Sequence, residues 1–193
     1  MTSLLSQSVS VALFLGMMFL ISVSNAILMK KISRFERVLH GPLVSVLIPA
    51  RNEEKSISRC VYSLLHQDYR NLELIVLDDS SSDATLQILE SMRSEFNNLR
   101  VIKGEALPEG WLGKHWACHQ LAREAKGEIL LFTDADTVHA SPTISHAVSV
   151  MIREKTDLLT AVVKEKTDTL GELITIPRSE EHTSELQSRQ SNS

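Results

Sequence analysis

Three short polar clusters in this sequence hold residues able to do chemistry, and each follows an apolar run. Pro49-Ala50-Arg51-Asn52-Glu53-Glu54 comes after VSVLI, Asp78-Asp79 after LELIVL, and Asp134-Ala135-Asp136 after EILLFT. An Asp-x-Asp pair offers carboxylate oxygens, which suit a hard divalent cation. Mg2+ or Mn2+ held by one or two carboxylates completes its shell with water and substrate phosphates. Such an ion neutralises charge as it develops on a diphosphate leaving group. Asp79 adds an acceptor for a nucleobase or a ribose hydroxyl. Alone, an Asp-x-Asp is as readily a turn signal, because Asp and Ser punctuate the chain after strands. Three such clusters in succession point instead to a site. Neither G-x-G-x-x-G nor G-x-x-x-x-G-K-[ST] occurs, which excludes the usual dinucleotide and P-loop phosphate cradles.

The elements that must position these clusters are legible from periodicity. Val44–Ile48, Leu72–Leu77, Leu99–Ile102 and Glu128–Thr133 are short and rich in Val, Ile and Leu, as buried strands are, and Asp157–Val163 is a fifth candidate. Helical patterns separate them. Ile57, Val61, Leu64 and Leu65 share one face of Lys55–His66. Leu89, Met92 and Phe96 do so in Asp83–Phe96, after the cap-rich run Ser80-Ser81-Ser82. Lys114–Ala125 carries Ala117, Leu121 and Ala125. Ser141-Pro142 reads as N-cap and first helical position of a helix through Ile144, Val148, Met151 and Ile152. Strand–helix alternation predicts an α/β fold, a mostly parallel sheet with flanking helices, and ligands in such sheets bind at the carboxyl ends of strands. All three polar clusters fall there.

The chain of 193 residues is 43% hydrophobic and 23% charged, enough for one domain with a core. A net charge of −4 supplies no basic field, so nucleic acid is not an expected partner. The average hides two unusual ends. Val9 to Met29 carries no charged residue and is long enough to span a bilayer, needing ~20 apolar residues. Residues 1–8 lack the basic n-region of a signal peptide. Lys30, Lys31, Arg34 and Arg37 follow the span, so the positive-inside rule puts its carboxyl-terminal side in the cytoplasm. Cys60 and Cys118 are then expected as reduced thiols with structural roles.

At the other end, Arg178–Ser193 (RSEEHTSELQSRQSNS) has one large apolar residue, Leu186, and no periodicity. It is expected to be disordered. Its first eleven residues resemble the in-frame translation of a common sequencing-library adapter. That resemblance implies a non-native tail, and a natural protein that continues differently after Pro177. The expected organisation is an anchor with a basic juxtamembrane segment (1–41), a nucleotide-sugar-binding half domain (42–177) and the tail (178–193).

VSVLIPARNEE, LIVLDDSSSDAT and LLFTDADT, in this order and spacing, resemble the family 2 inverting glycosyltransferases of GT-A fold from Val44 to Pro177. GWLGKHWACHQ, at Gly110–Gln120, further resembles the membrane-bound subgroup near hopanoid-associated and carotenoid glycosyltransferases. The resemblance implies that Pro49, Ala50, Arg51 and Glu53 line a nucleotide site and that Asp79 contacts the base. It places Asp134, Ala135 and Asp136 at the ribose and the metal-bound diphosphate, with Asp134 and Asp136 as the Mg2+ or Mn2+ ligands. Lys114 is a candidate phosphate contact, or else a solvated lysine at a helix start. The implied donor is a nucleotide-diphosphate sugar, UDP-sugar favoured, and the implied acceptor is lipid or polyisoprenoid in type. Ser80 and Ala84 stand where the family usually has glycine. The general base that an inverting transfer requires lies downstream in the family. None of Glu154, Asp157, Glu165, Asp168 or Glu172 sits in a recognisable motif, so the base is expected beyond the truncation and this chain is expected to be inactive.

Two other readings remain open on sequence. Asp134-Ala135-Asp136-Thr137-Val138 matches the D-x-D-x-T-V of haloacid-dehalogenase-like phosphatases, with Asp134 as nucleophile and Asp136 as acid/base. That family places its motif at the first strand, whereas here it follows the fourth. A non-catalytic nucleotide-binding membrane module is the other. Among further polar residues, His115 and His119 flank Cys118 at i, i+4 without a third ligand, and His139 lies near enough to Asp136 to be considered for the metal. Trp111 and Trp116 are expected in the core, with an acceptor-facing or lipid-facing wall as the alternative.

Overall fold

The computed structural model describes residues 2–28, 30–31, 35–162 and 185–188. Its elements run α1 (Thr2–Leu28), β1 (Lys30–Lys31), β2 (Val44–Ala50), α2 (Ile57–Leu65), β3 (Leu72–Asp78), α3 (Thr85–Glu95), β4 (Leu99–Lys103), α4 (Gly113–Glu124), β5 (Ile129–Phe132), α5 (Thr143–Glu154), β6 (Leu159–Val162) and β7 (Glu185–Ser188). The chain divides into two units, Phe35–Glu154 and Met1–Arg34 with Lys155–Ser193.

The unit Phe35–Glu154 is built on a parallel four-stranded sheet in the order β4-β3-β2-β5. Six of the seven residues of β2 are buried, which is why VSVLIPA reads as a mostly apolar run, broken only by Ser45, rather than an alternating one. On one face, Ile57, Cys60, Val61 and Leu64 of α2 join Leu89 and Met92 of α3 over Val46, Ile48, Leu74 and Val76. On the other, Ala117 and Leu121 of α4 cover Leu47, Ile75 and Leu77. The stripes of α2, α3 and α4 are therefore packed faces; in α5, Ile144 and Val148 join the core, but Ile152 is 54% exposed and Met151 joins no core cluster. The α5 helix opens one position later than expected. Its first bond runs from the His146 N–H to the Pro142 carbonyl, so Pro142 stands at the cap.

Strand order sets the position of the site. From β2 the chain steps through β3 to β4 on one side, then returns so that β5 pairs with the opposite edge of β2. The order reverses at β2, and in open α/β sheets the ligand crevice lies outside the carboxyl ends at such a point. At the opposite end, Glu73 ties three elements together. Its Oε1 accepts the Ser45 hydroxyl at 2.5 Å and the Lys126 N–H at 2.7 Å, and Arg100 lies 3.7 Å from Oε2. Burial pushes the Glu73 carboxyl up, but these bonds and charges outweigh it and hold the group below its ordinary value. Gly127 approaches so closely that a Cβ would lie 2.6 Å from the Ser45 backbone nitrogen, so only glycine fits there.

In the other unit, α1 contains Gln7–Ser24, long and apolar enough to cross a membrane, with these side chains exposed. Ser22 donates its hydroxyl to the Met18 carbonyl at 2.9 Å, which satisfies a polar group inside the apolar run. The fifth candidate strand exists as β6, but not in the parallel sheet: it pairs antiparallel with β7, which pairs antiparallel with β1. Glu185–Ser188, inside the stretch expected to be disordered, is thus a strand; the rest of 178–193 lies outside the described residues.

Candidate functional site

The loops after β2 and β3 are laced together. The Asp79 N–H donates to the Ala50 carbonyl at 2.8 Å, prolonging the strand pairing by one step. Beyond it, Asn52 donates its N–H to Ser81 Oγ at 3.0 Å and accepts the Ser82 N–H on Oδ1 at 2.8 Å. The Glu53 N–H reaches Thr85 Oγ1 at 2.8 Å, and Asp83 accepts the Thr85 N–H at 3.0 Å in a turn leading into α3. Asn52 and Ser80 both hold left-handed backbone, at φ +57° and +56°. Asn tolerates that region and Ser does so at a cost, which explains the glycine expected at position 80.

This lacing fixes most of the expected nucleotide-site residues. Ala50 is buried and Pro49 half-buried at the strand end, so they contribute backbone and shape. Arg51 projects into solvent with its guanidinium 3.6 Å from Asp79 Oδ2. Glu53 is half-buried at the start of α2. Its carboxylate accepts the Ser56 hydroxyl at 2.5 Å and its carbonyl accepts the Ile57 N–H at 2.9 Å. Asp79 is walled by two glycines. A Cβ on Gly104 would lie 3.3 Å from Asp79 Oδ1, and one on Gly113 would lie 3.8 Å from Oδ2. The missing side chains leave the carboxylate open from the β4–α4 side.

The Asp-x-Asp follows β5 directly. Ala135 is 4% exposed and packs in the core, and by alternation it throws Asp134 and Asp136 outward, where both are exposed. A small apolar middle residue is thus part of the device. Lys114, at the start of α4, reaches across to place Nζ 2.6 Å from Asp134 Oδ1, and that hydrogen bond holds its ammonium pKa above the ordinary value. Beneath the turn, Thr137 Oγ1 donates to the Asp134 carbonyl at 2.7 Å. Cys60 lies under the same carbonyl with Sγ at 3.5 Å, and burial pushes its thiol up to about 11.

A divalent cation fits this donor set. Among the described residues no three His, Cys, Asp or Glu side chains gather as a metal cage. Two exposed carboxylates on one turn are an incomplete, all-oxygen set of the sort that Mg2+ or Mn2+ completes with phosphate and water. His139 is not part of it. Its Nε2 lies 3.0 Å from Thr133 Oγ1 and 3.1 Å from Thr137 Oγ1, and burial keeps its pKa below the ordinary histidine value. His119 is engaged elsewhere too, with its ring 5.1 Å from Trp111 and 5.4 Å from Trp116. The expectation of core tryptophans is corrected: Trp111 is 41% exposed, and neither ring joins a core cluster.

The sequence profile described as Glycosyl transferase family 2 matches residues 45–190. The chain belongs to glycosyl transferase family 2. Among curated relatives of this family 2 chain, a beta-monoglucosyldiacylglycerol synthase of Trichormus variabilis is 35% identical over 63% of the chain and 26% of the relative. A 4,4'-diaponeurosporenoate glycosyltransferase of Staphylococcus haemolyticus is 40% identical over 48% of the chain and 24% of the relative. The chain therefore spans about a quarter of the length of these curated relatives. Among solved structures, S. aureus TarS residues 1–349 superposes with a TM-score of 0.56 at 30% identity, covering 71% of this chain and 39% of that one. The same protein has been solved with UDP-GlcNAc. A mannosyltransferase of Pyrobaculum calidifontis, in complex with GDP-Man and Mn2+, gives 0.56 at 27% identity over 68% of this chain and 39% of that one. The family 2 chain thus has the α/β, GT-A-like fold, and the match favours the transferase reading over the phosphatase one. Residues that sequence reasoning passed over are Asn52, Gly104, Gly113, Thr133 and Thr137. Only Thr137 carried a signal, as the Thr of the D-x-D-x-T string.

Proposed function

We propose that the natural protein transfers a sugar from a nucleotide-diphosphate sugar, UDP-sugar favoured, to a lipid or polyisoprenoid acceptor with inversion. The chain's residues to 177 supply the donor half of that enzyme. The observation that carries this reading is the meeting of Arg51–Asp79 and Lys114–Asp134–Asp136 where the strand order reverses. In this reading Pro49, Ala50, Arg51 and Asp79 receive the base and ribose, Glu53 holds the loop that presents them, and Ala135 seats the acidic turn. Asp134 and Asp136 would hold Mg2+ or Mn2+, which supplies charge neutralisation at the diphosphate. Lys114 adds a point charge to the same phosphates.

Inversion requires the acceptor oxygen to attack the anomeric carbon while the bond to the diphosphate breaks, and a general base takes the hydroxyl proton. The short share of its relatives that the chain spans supports a base located beyond residue 177, so this chain binds nucleotide with little or no turnover. The relatives named for a glucosyldiacylglycerol product and a carotenoid acid support an apolar acceptor and the membrane-bound subgroup. The apolar α1, followed by Lys30, Lys31, Arg34 and Arg37, supports one span within an anchor and basic juxtamembrane segment (1–41), with the site on the cytoplasmic face. The likeness of 178–188 to translated adapter supports a foreign tail.

Titration calorimetry on the full chain in detergent tests the donor reading. UDP with Mn2+ should bind, and GDP more weakly. Heat of mixing absent for every nucleoside diphosphate with either metal rejects it.

A further inference from the structure

The acidic turn is held from below by a chain of hydrogen bonds that the donor site itself does not explain. Thr137 has one hydroxyl proton, and its geometry directs that proton to the Asp134 carbonyl at 2.7 Å. Its oxygen is then an acceptor, with Thr133 Oγ1 at 2.8 Å and His139 Nε2 at 3.1 Å as the neighbours able to donate. Thr133 and His139 lie 3.0 Å apart, which closes a three-membered polar cluster. All three side chains are half-buried. The His139 backbone N–H donates to Ser63 Oγ at 3.0 Å, and Ser63 donates to the Cys60 carbonyl at 2.7 Å. The chain of bonds therefore runs from α2, through Ser63 and His139, to the Asp134–Ala135 peptide.

We propose that Thr133, Thr137 and His139 form a clamp that orients the Asp134 and Asp136 carboxylates toward a divalent cation; they are positioning residues, and the proposal rests on the donor reading above. The commitment of its Nε2 to two hydroxyls assigns His139 to the clamp rather than to the metal. Groups that orient metal ligands in this way change metal affinity by ~10–100-fold when removed. The carbonyl of Asp134 matters because fixing it fixes the Asp134–Ala135 peptide plane, which sets the Asp134 Cα–Cβ direction and the start of the turn that carries Asp136.

The test compares Thr137→Val with Thr137→Ser in the full chain. The readouts are Mn2+ affinity by electron paramagnetic resonance and UDP affinity with and without Mn2+. The valine variant should lose ~10-fold or more in Mn2+-dependent affinity while metal-free UDP binding holds, and the serine variant should restore it. His139→Ala, which spares both hydroxyls but unties them from α2, should lose a similar amount. The double variant Thr137→Val/His139→Ala should lose no more than either alone, as members of one unit do. Unchanged Mn2+ affinity in Thr137→Val overturns the clamp. So does loss in His139→Ala alone, which would make His139 a ligand. Absence of Mn2+-dependent UDP binding in the unsubstituted chain is a different failure, and overturns the donor reading together with the clamp.

Discussion

Lys114 Nζ and Asp134 Oδ1 lie 2.6 Å apart, joining the start of α4 to the end of β5 across the mouth of the site. The side chains are 66% and 58% exposed, so the pair contributes less than about 1 kcal/mol to folding. Its consequence is local: under the proposed donor reading, the cation meant for phosphate and the carboxylate meant for the metal hold each other until ligand arrives. Lys114→Met should therefore act in opposite directions. Mn2+ affinity in the absence of nucleotide rises a few-fold, because a competitor for Asp134 is gone, while affinity for UDP with Mn2+ falls. Calorimetric titration in the two orders of addition measures both signs, and a fall in both would contradict the competition.

The two left-handed residues predict contrasting effects. Ser80→Gly removes the steric cost of φ +56° and should raise the melting midpoint by ~2–4 °C, an effect of about 1 kcal/mol in a chain this size. Asn52→Gly relieves a similar angle but forfeits the bonds from Ser82 at 2.8 and 3.2 Å, and should lower it. Differential scanning calorimetry distinguishes the outcomes.

Much of this arrangement is legible in the amino-acid string, and the limits have physical causes. Val44–Ala50 and Leu72–Asp78 read as strands because burial on both faces leaves them mostly apolar, their one early polar residue each (Ser45 and Glu73) bonding to the other. The acidic pairs fall at strand ends because buried parallel strands leave the core there. Spacing does not encode which strands become neighbours. β6 resembles a fifth parallel strand, yet it pairs antiparallel with β7. Hydrogen bonds between loops remote in sequence are likewise invisible. Nor does the string show that the Ser56 hydroxyl engages the Glu53 carboxylate. Gly104 and Gly113 matter for the atoms they lack. Trp111 and Trp116 read as core by composition, whereas their contact with His119 on the surface depends on how the β4–α4 connection folds back.

Cys60 predicts an alkaline weakness. Burial raises its thiol in the folded chain to about 11, whereas the unfolded thiol ionises near 9.0. The folded state then holds a proton that the unfolded state has released, so stability present below the unfolded value is lost as pH rises from about 9 to about 11. Urea midpoints across that range should fall, and Cys60→Ala should flatten that part of the decline. An identical slope in the variant would assign the loss to other groups.

The proposed topology is read through the other cysteine. Cys118 is half-buried and Cys60 is fully buried, so an impermeant maleimide should modify Cys118 alone in the folded chain. Modification should occur in inside-out vesicles and not in right-side-out ones. The reverse pattern would place the site on the other face.

The central claim is that Asp134 and Asp136 hold a divalent cation against a nucleotide diphosphate. The most direct measurement is the melting midpoint of the full chain with UDP and Mn2+, compared with that of Asp136→Asn, since a ligand bound only to the native state raises the midpoint by mass action. The unsubstituted chain should melt higher with UDP and Mn2+ together than with UDP alone. Asp136→Asn, whose side chain is exposed and bears no load in the fold, should melt normally without ligand and lose the Mn2+-dependent increment. A variant that keeps the full increment would contradict the account.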